Sequence, residues 1–95
     1  MPDNLKSLKP KIVIVLKRHG ISQAGVFGSY ATGTHTKKSD IDILVKFKGR
    51  KSLIDLANVE LELEKALNKK VDLLTYNSIN PLIRKQVLKE EVRIL

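Results

Sequence analysis

Residues 28–42 read GSYATGTHTKKSDID, and they constrain the chain more than any other stretch. Asp40 and Asp42 flank Ile41, and Ile43, Leu44 and Val45 follow. On a strand, residues two apart point to the same face. A strand over 39–47 therefore sets two carboxylates side by side and turns Ile41, Ile43 and Val45 toward a core. Two carboxylates at that spacing repel unless a cation lies between them. Hard divalent ions such as magnesium take oxygen ligands and bring phosphates with them. Upstream, Gly28 and Ser29 let a backbone approach a phosphate closely and offer amide and hydroxyl donors. A glycine-serine step alone reads as a turn, and a lone Asp-x-Asp reads as a solvated strand edge. Close in sequence and each at a strand, the two together make a phosphate grip and a metal seat. That is the equipment of phosphoryl or nucleotidyl transfer.

The rest of the chain is punctuated around this stretch. Pro10 suits the first position of a helix, Gly20 suits its stop, and LKRHG is a basic helix end. The run IVIVL between them also fits a strand, and the punctuation decides for helix. Residues 1–9 read as a polar leader, with at most a helical turn after Asp3. The first strand is centred on Ala24 to Phe27, and Tyr30 to Lys38 form a polar connection turning at Gly33 and Thr34.

After a basic turn at Lys48 to Lys51, Ser52 is a helix N-cap with Asp55 three residues on, and the helix runs to about Asn68. Its inner side is expected to hold Leu53, Leu56, Ala57, Leu63 and Leu67, interrupted by Glu60. Glu60, Glu62 and Glu64 read as solvated, with Glu64 reaching Asn68 or Lys65. KVDLLT, 70–75, is a third strand in which Asp72 stands among Val71, Leu73 and Leu74. A carboxylate there is costly unless it is paired, bound to metal, or facing water from an edge strand. Asn77 to Asn80 form a turn, and Asn80 caps a helix that starts at Pro81. Residues 92–95 are a last short strand or a helical continuation. The order α-β-β-α-β-α predicts an α/β (α+β) fold, a small mixed β-sheet with helices on one face, in one domain over 1–95.

The central stretch resembles the signature of the minimal nucleotidyltransferase (MNT) family, within the DNA polymerase β superfamily. That signature, GSxAxGxxxxxSDxDxxV, is matched at Gly28, Ser29, Ala31, Gly33, Ser39, Asp40, Asp42 and Val45. The family form has arginine between the alanine and the second glycine, where this chain has Thr32. The resemblance implies a polymerase β-type palm and a third carboxylate on the strand after the long helix, which is Asp72. It implies ATP over Gly28 and Ser29, with Ser39 in the nucleotide group as a shaper of the strand start or a partner of an aspartate. Asp40, Asp42 and Asp72 are then catalytic and hold two Mg2+ ions, Mn2+ being an alternative. It further implies an antitoxin that transfers AMP to a tyrosine of a helical HEPN ribonuclease toxin. Two other readings stay open: a binding module that holds such a partner without chemistry, and a nucleotidyltransferase acting on RNA or a small molecule.

Composition narrows the classes. There is no cysteine and there are two histidines, so disulfides and Cys/His zinc chemistry are excluded. The start, MPDNLKSLKPK, has no long apolar core, and no apolar run approaches a bilayer's span, so a cytoplasmic protein without membrane contact is expected. The net charge of +8 is uneven. Residues 1–50 carry ten Lys and Arg against three Asp and Glu, whereas 51–95 carry eight against seven. The positive half holds the phosphate grip and would draw nucleotides or nucleic acid. Nucleic acid is less favoured, because four aromatic residues leave little for base stacking.

Overall fold

The computed structural model describes residues 3–95. Four strands form one mixed sheet: β1 (Ile21–Phe27), β2 (Ile41–Phe47), β3 (Val71–Thr75) and β4 (Val92–Arg93), in the order β3-β2-β1-β4. β1 pairs antiparallel with β2 and β4, while β2 and β3 run parallel. The helices among the described residues are α1 (Asp3–Arg18), α2 (Ser29–Thr32), α3 (Leu53–Leu67) and α4 (Pro81–Glu90), with a 3-10 turn at Tyr76–Ser78. A parallel pair needs a long crossover, and α3 supplies it.

Alternation along β2 gives the sheet two different faces. Ile41, Ile43 and Val45 are buried, with Ala24 and Val26 of β1 and Val71 and Leu73 of β3 beside them. α1 adds Leu5, Ile12 and Leu16 to this core, and α3 adds Val59, Leu63 and Leu67. The other face carries Asp42, Leu44 and Lys46, opposite Phe27, Gly25 and Gln23. α1 and α3 lie on the opposite side, yet Leu44 in the middle of this face is fully buried. The end of α4 turns toward it and lays the Glu91 side chain against Gly25, where no Cβ would fit.

Four details differ from what the sequence predicts. α1 begins at Asp3, so Pro10 lies inside the helix and not at its first position. Leu5, Leu8, Ile12, Val15 and Leu16 form a helical stripe that runs through the proline. Their burial outweighs the loss of one helical N–H and the crowding of the ring. Part of the expected leader, Met1 and Pro2, lies outside the described residues.

The supposed polar connection contains α2, because Tyr30 is an apolar anchor with 2% of its surface exposed. α3 is capped as expected, by a reciprocal Ser52–Asp55 box and a left-handed Asn68. Its stripe, however, is Leu56, Val59, Leu63 and Leu67, with Leu53 at 83% exposure and Ala57 exposed. Of its glutamates, Glu62 pairs with Arg18 and meets His19 Nε2, fastening α3 to the end of α1.

Pro10 is exposed and sits in a helix interior, where proline is about 3 kcal/mol worse than alanine. Pro10→Ala should stabilise the protein by about 1–3 kcal/mol. Urea unfolding measures this, and an unchanged midpoint would mean that α1 does not run through residue 10.

Candidate active site

The site starts where β1 ends. At Gly28 the backbone takes φ 71° and ψ −152°, a region open essentially only to glycine. Glycine is needed there for a second reason. Phe27 is the β-partner of Asp42, so Gly28 comes alongside that carboxylate. A Cβ at position 28 would collide with Asp42 Oδ2 and lie 3.3 Å from Asp42 Cγ. Ser29 then opens α2, whose turns are closed by Ala31 N–H donating to the Gly28 carbonyl at 3.1 Å and Thr34 N–H to the Ser29 carbonyl at 2.9 Å. Gly33 ends α2 in the left-handed region. Thr32, at the place of the family arginine, lies 2.9 Å from the Thr34 hydroxyl and within 3.4 Å of the Gly28 carbonyl oxygen. Its side chain closes the local turn.

The carboxylates come from two neighbouring strands. In the parallel β2–β3 register Asp42 stands directly beside Asp72. Asp42 is partly buried, whereas Asp72 is exposed on the edge strand β3. Asp40 is not on the strand as the sequence predicts, because β2 begins at Ile41. Ser39 is committed to a turn, its hydroxyl accepting from Thr36 N–H at 2.8 Å and its own N–H donating to the Thr36 carbonyl at 3.1 Å. Ile41 N–H then makes the first cross-strand bond, to the Lys70 carbonyl at 3.1 Å. Asp40 is thus delivered at the mouth of the strand by the turn that Ser39 ties.

The pKa of Asp42 is raised from its usual 3.8 to about 6. Burial is the main cause, followed by the neighbouring Asp72 carboxylate and then by Asp40. The group is held in a place where its charge is unwelcome without a counter-charge. That, together with a donor set made of carboxylate oxygens alone, fits a hard divalent cation. Among the described residues no three acidic or histidine side chains already close around a point that would seat an ion.

Several supporting residues escape sequence reasoning. Glu64 does not reach Asn68 or Lys65. Its carboxylate accepts the Val71 N–H at 3.0 Å, tying α3 to the start of β3 next to Asp72. An unpaired edge-strand amide is a poor place to leave a donor, and the glutamate satisfies it. His35, expected as a plain loop residue, stacks on Tyr30 with ring centroids 4.1 Å apart and meets Asn4 Nδ2 at 2.7 Å. Farther along the face that carries Asp42, Tyr76 donates its hydroxyl to Glu91. Burial and that carboxylate push the phenol up to about 12. None of the three hydrogen bonds has a local signal, since 7 to 31 residues separate the partners.

The Asp42 shift has a consequence for stability. Because its folded pKa lies above the ordinary value, stability is full below about pH 3.8 and declines as pH rises toward 6. Asp42→Asn lacks this penalty. In chelator it should be more stable than wild type at pH 7 by about 1 kcal/mol, allowing for screening of a half-solvated group, and equal near pH 4. Thermal melting across pH measures the gap. A variant less stable at pH 7 would show that Asp42 is already neutralised by the protein.

With this geometry in view, the comparisons with known proteins are direct. The family described as polymerase beta, nucleotidyltransferase, matches residues 10–95. A Methanocaldococcus jannaschii protein, provisionally named a protein adenylyltransferase, is 49% identical over 92 residues, covering 97% of this chain and 99% of the relative. A solved structure, provisionally named a minimal nucleotidyltransferase, superposes with a TM-score of 0.81 at 34% identity, covering 97% of this chain and 95% of the other. A toxin–antitoxin crystal structure with AMP-PNP contains a chain of the same fold, with TM-score 0.81, 28% identity, and coverage of 92% and 72%. The chain belongs to the polymerase β nucleotidyltransferase family, in its minimal branch.

Proposed function

We propose that this protein is a protein adenylyltransferase that moves AMP from ATP to a tyrosine of a helical HEPN-type toxin, and so acts as that toxin's antitoxin in the cytoplasm. The observation that carries this reading is the Asp42–Asp72 pair, set in register on adjoining strands beside a glycine that leaves room for the carboxylate. The relatives support the reaction and the partner: one is provisionally named a protein adenylyltransferase, and another was solved as a toxin–antitoxin pair with AMP-PNP.

In this reading the triphosphate lies over Gly28 and Ser29, where the missing Cβ allows backbone approach. Asp40, Asp42 and Asp72 would hold two divalent ions, Mg2+ with Mn2+ as an alternative. When bound, such ions neutralise the phosphates and stabilise the entering and leaving oxygens of an in-line displacement. The tyrosine oxygen bonds to the α-phosphorus as the bond to the β-phosphate oxygen breaks, and pyrophosphate departs. Asp72, the exposed carboxylate of the pair, would help take the phenolic proton. Ser39 contributes by tying the turn that presents Asp40. Thr32 closes the α2 turn and contributes no charge to the phosphates.

The test uses a HEPN-type toxin, purified alone and weighed by intact mass spectrometry after incubation with this protein, ATP and magnesium. Wild type should add one or more AMP units to it, and Asp40→Ala/Asp42→Ala should add none. A partner that gains no mass, yet is still inhibited by the double variant, would replace the enzyme with a binding module.

A further inference from the structure

The phosphate grip at Gly28 and Ser29 and the metal seat at Asp40 lie on separate segments, so something has to set one against the other. Thr34 N–H is tied back to the Ser29 carbonyl at 2.9 Å. Thr36 to Ser39 close a turn on themselves, Thr36 N–H donating to the Ser39 hydroxyl at 2.8 Å and Lys38 N–H to the Thr36 hydroxyl at 3.2 Å. Ile41 is fixed by its bond to the Lys70 carbonyl. The turn that presents Asp40 is therefore a small closed unit, held at one end by the sheet. His35 stands at its other end.

The His35 ring lies flat on Tyr30, with planes 9° from parallel. Tyr30 follows Ser29 in α2 and is buried in the main core, so its ring is a fixed floor. Asn4 of α1 donates to His35 Nε2. Lys69, just ahead of β3, holds its ammonium 5.5 Å from the Tyr30 ring and donates to the Lys37 carbonyl at 3.5 Å. The cluster thus joins α1, α2, the turn before Asp40 and the approach to Asp72. His35 Nδ1 is buried and has no partner among the described residues. The hydrogen bonding of the ring is incomplete, so the flat stack is the main contact that fixes it.

We propose that His35 is a positioning residue, whose stack on Tyr30 locks the turn that presents Asp40 to the helix that begins at Ser29. This rests on Asp40, Asp42 and Asp72 being the metal seat, and adds the device that sets the seat against the phosphate grip. With the stack intact, the Asp40 carboxylate is held close enough to Asp42 to act on its charge before any ion arrives. A cation then meets ligands already in place. Without the stack, the turn swings on Ile41, and the lost order opposes ion binding.

Titration of Mn2+ into isotope-labelled protein without nucleotide tests it, because the ion broadens the amide NMR signals of residues close to it. In wild type the signals of Asp40, Asp42 and Asp72 should broaden first. His35→Ala and His35→Gln both lose the stack, and each should need about tenfold more Mn2+. His35→Phe keeps the stack and should titrate as wild type does. Leu8→Ala, a packing loss beside the same cluster, should lower the melting temperature and leave the titration unchanged. Should His35→Ala fail to fold, His35→Gln against His35→Phe still decides. Equal titration of wild type and the stack-losing variants would overturn the positioning role alone. So would His35→Phe as weak as His35→Gln, or Leu8→Ala as weak as either. Wild type with no broadening at the aspartates would remove the metal seat itself, and His35's role with it.

Discussion

Like-charge repulsion, held in check by strand register, is what the rest of this structure depends on. Asp42 and Asp72 sit side by side because β2 and β3 run parallel in the register that pairs them. Left alone, that pair works against folding, as the raised Asp42 pKa records. The scaffold therefore has to over-determine the register. Ile41, Ile43, Val71 and Leu73 interlock on the core face, where a slip by one residue would expose them all. α3 spans the crossover between a capping box at Ser52 and a left-handed Asn68. Glu64 then pins the first amide of β3. The hydrophobic face and the caps together force the carboxylates into company that they would otherwise avoid.

The same sheet separates two electrostatic tasks along one face. Negative charge gathers at the end where β1 stops and β2 starts, and positive charge gathers where β2 stops and α3 has yet to start. The excess of Lys and Arg in residues 1–50 supplies a field that draws anions toward the sheet. In the proposed reading, the local acids decide where a cation, and with it a triphosphate, rests. Thr32 fits this division, since its short hydroxyl stabilises the turn and leaves charge neutralisation to other groups.

Much of this was readable from residue order, for identifiable reasons. The alternation of Ile41, Asp42 and Ile43 indicated which side of β2 joins the main core, and the punctuation at Ser52, Asn68, Asn80 and Pro81 marked two helices. Such signals are local, and local chemistry dominates at caps and in strands. The misses arose where distant packing overrode a local preference. Pro10 reads as a helix start, yet burial of Leu5 carries the helix back to Asp3. The α3 stripe turned toward Val59 because the helix packs against α1 as well as the sheet. Asp40 fell just outside β2 because Ser39 is used by the preceding turn. Gly25 carries no hint of the Glu91 side chain that requires it, since the two meet only after the sheet has assembled.

The central claim is that Asp40, Asp42 and Asp72 form one metal seat under the triphosphate. Anomalous diffraction from a crystal grown with Mn2+ and AMP-PNP tests it most directly. The account predicts manganese peaks bounded by carboxylate oxygens of all three aspartates, with the analogue's phosphates on the Gly28–Ser29 side. Manganese bound elsewhere, with nucleotide present and the three carboxylates free of metal, would contradict it.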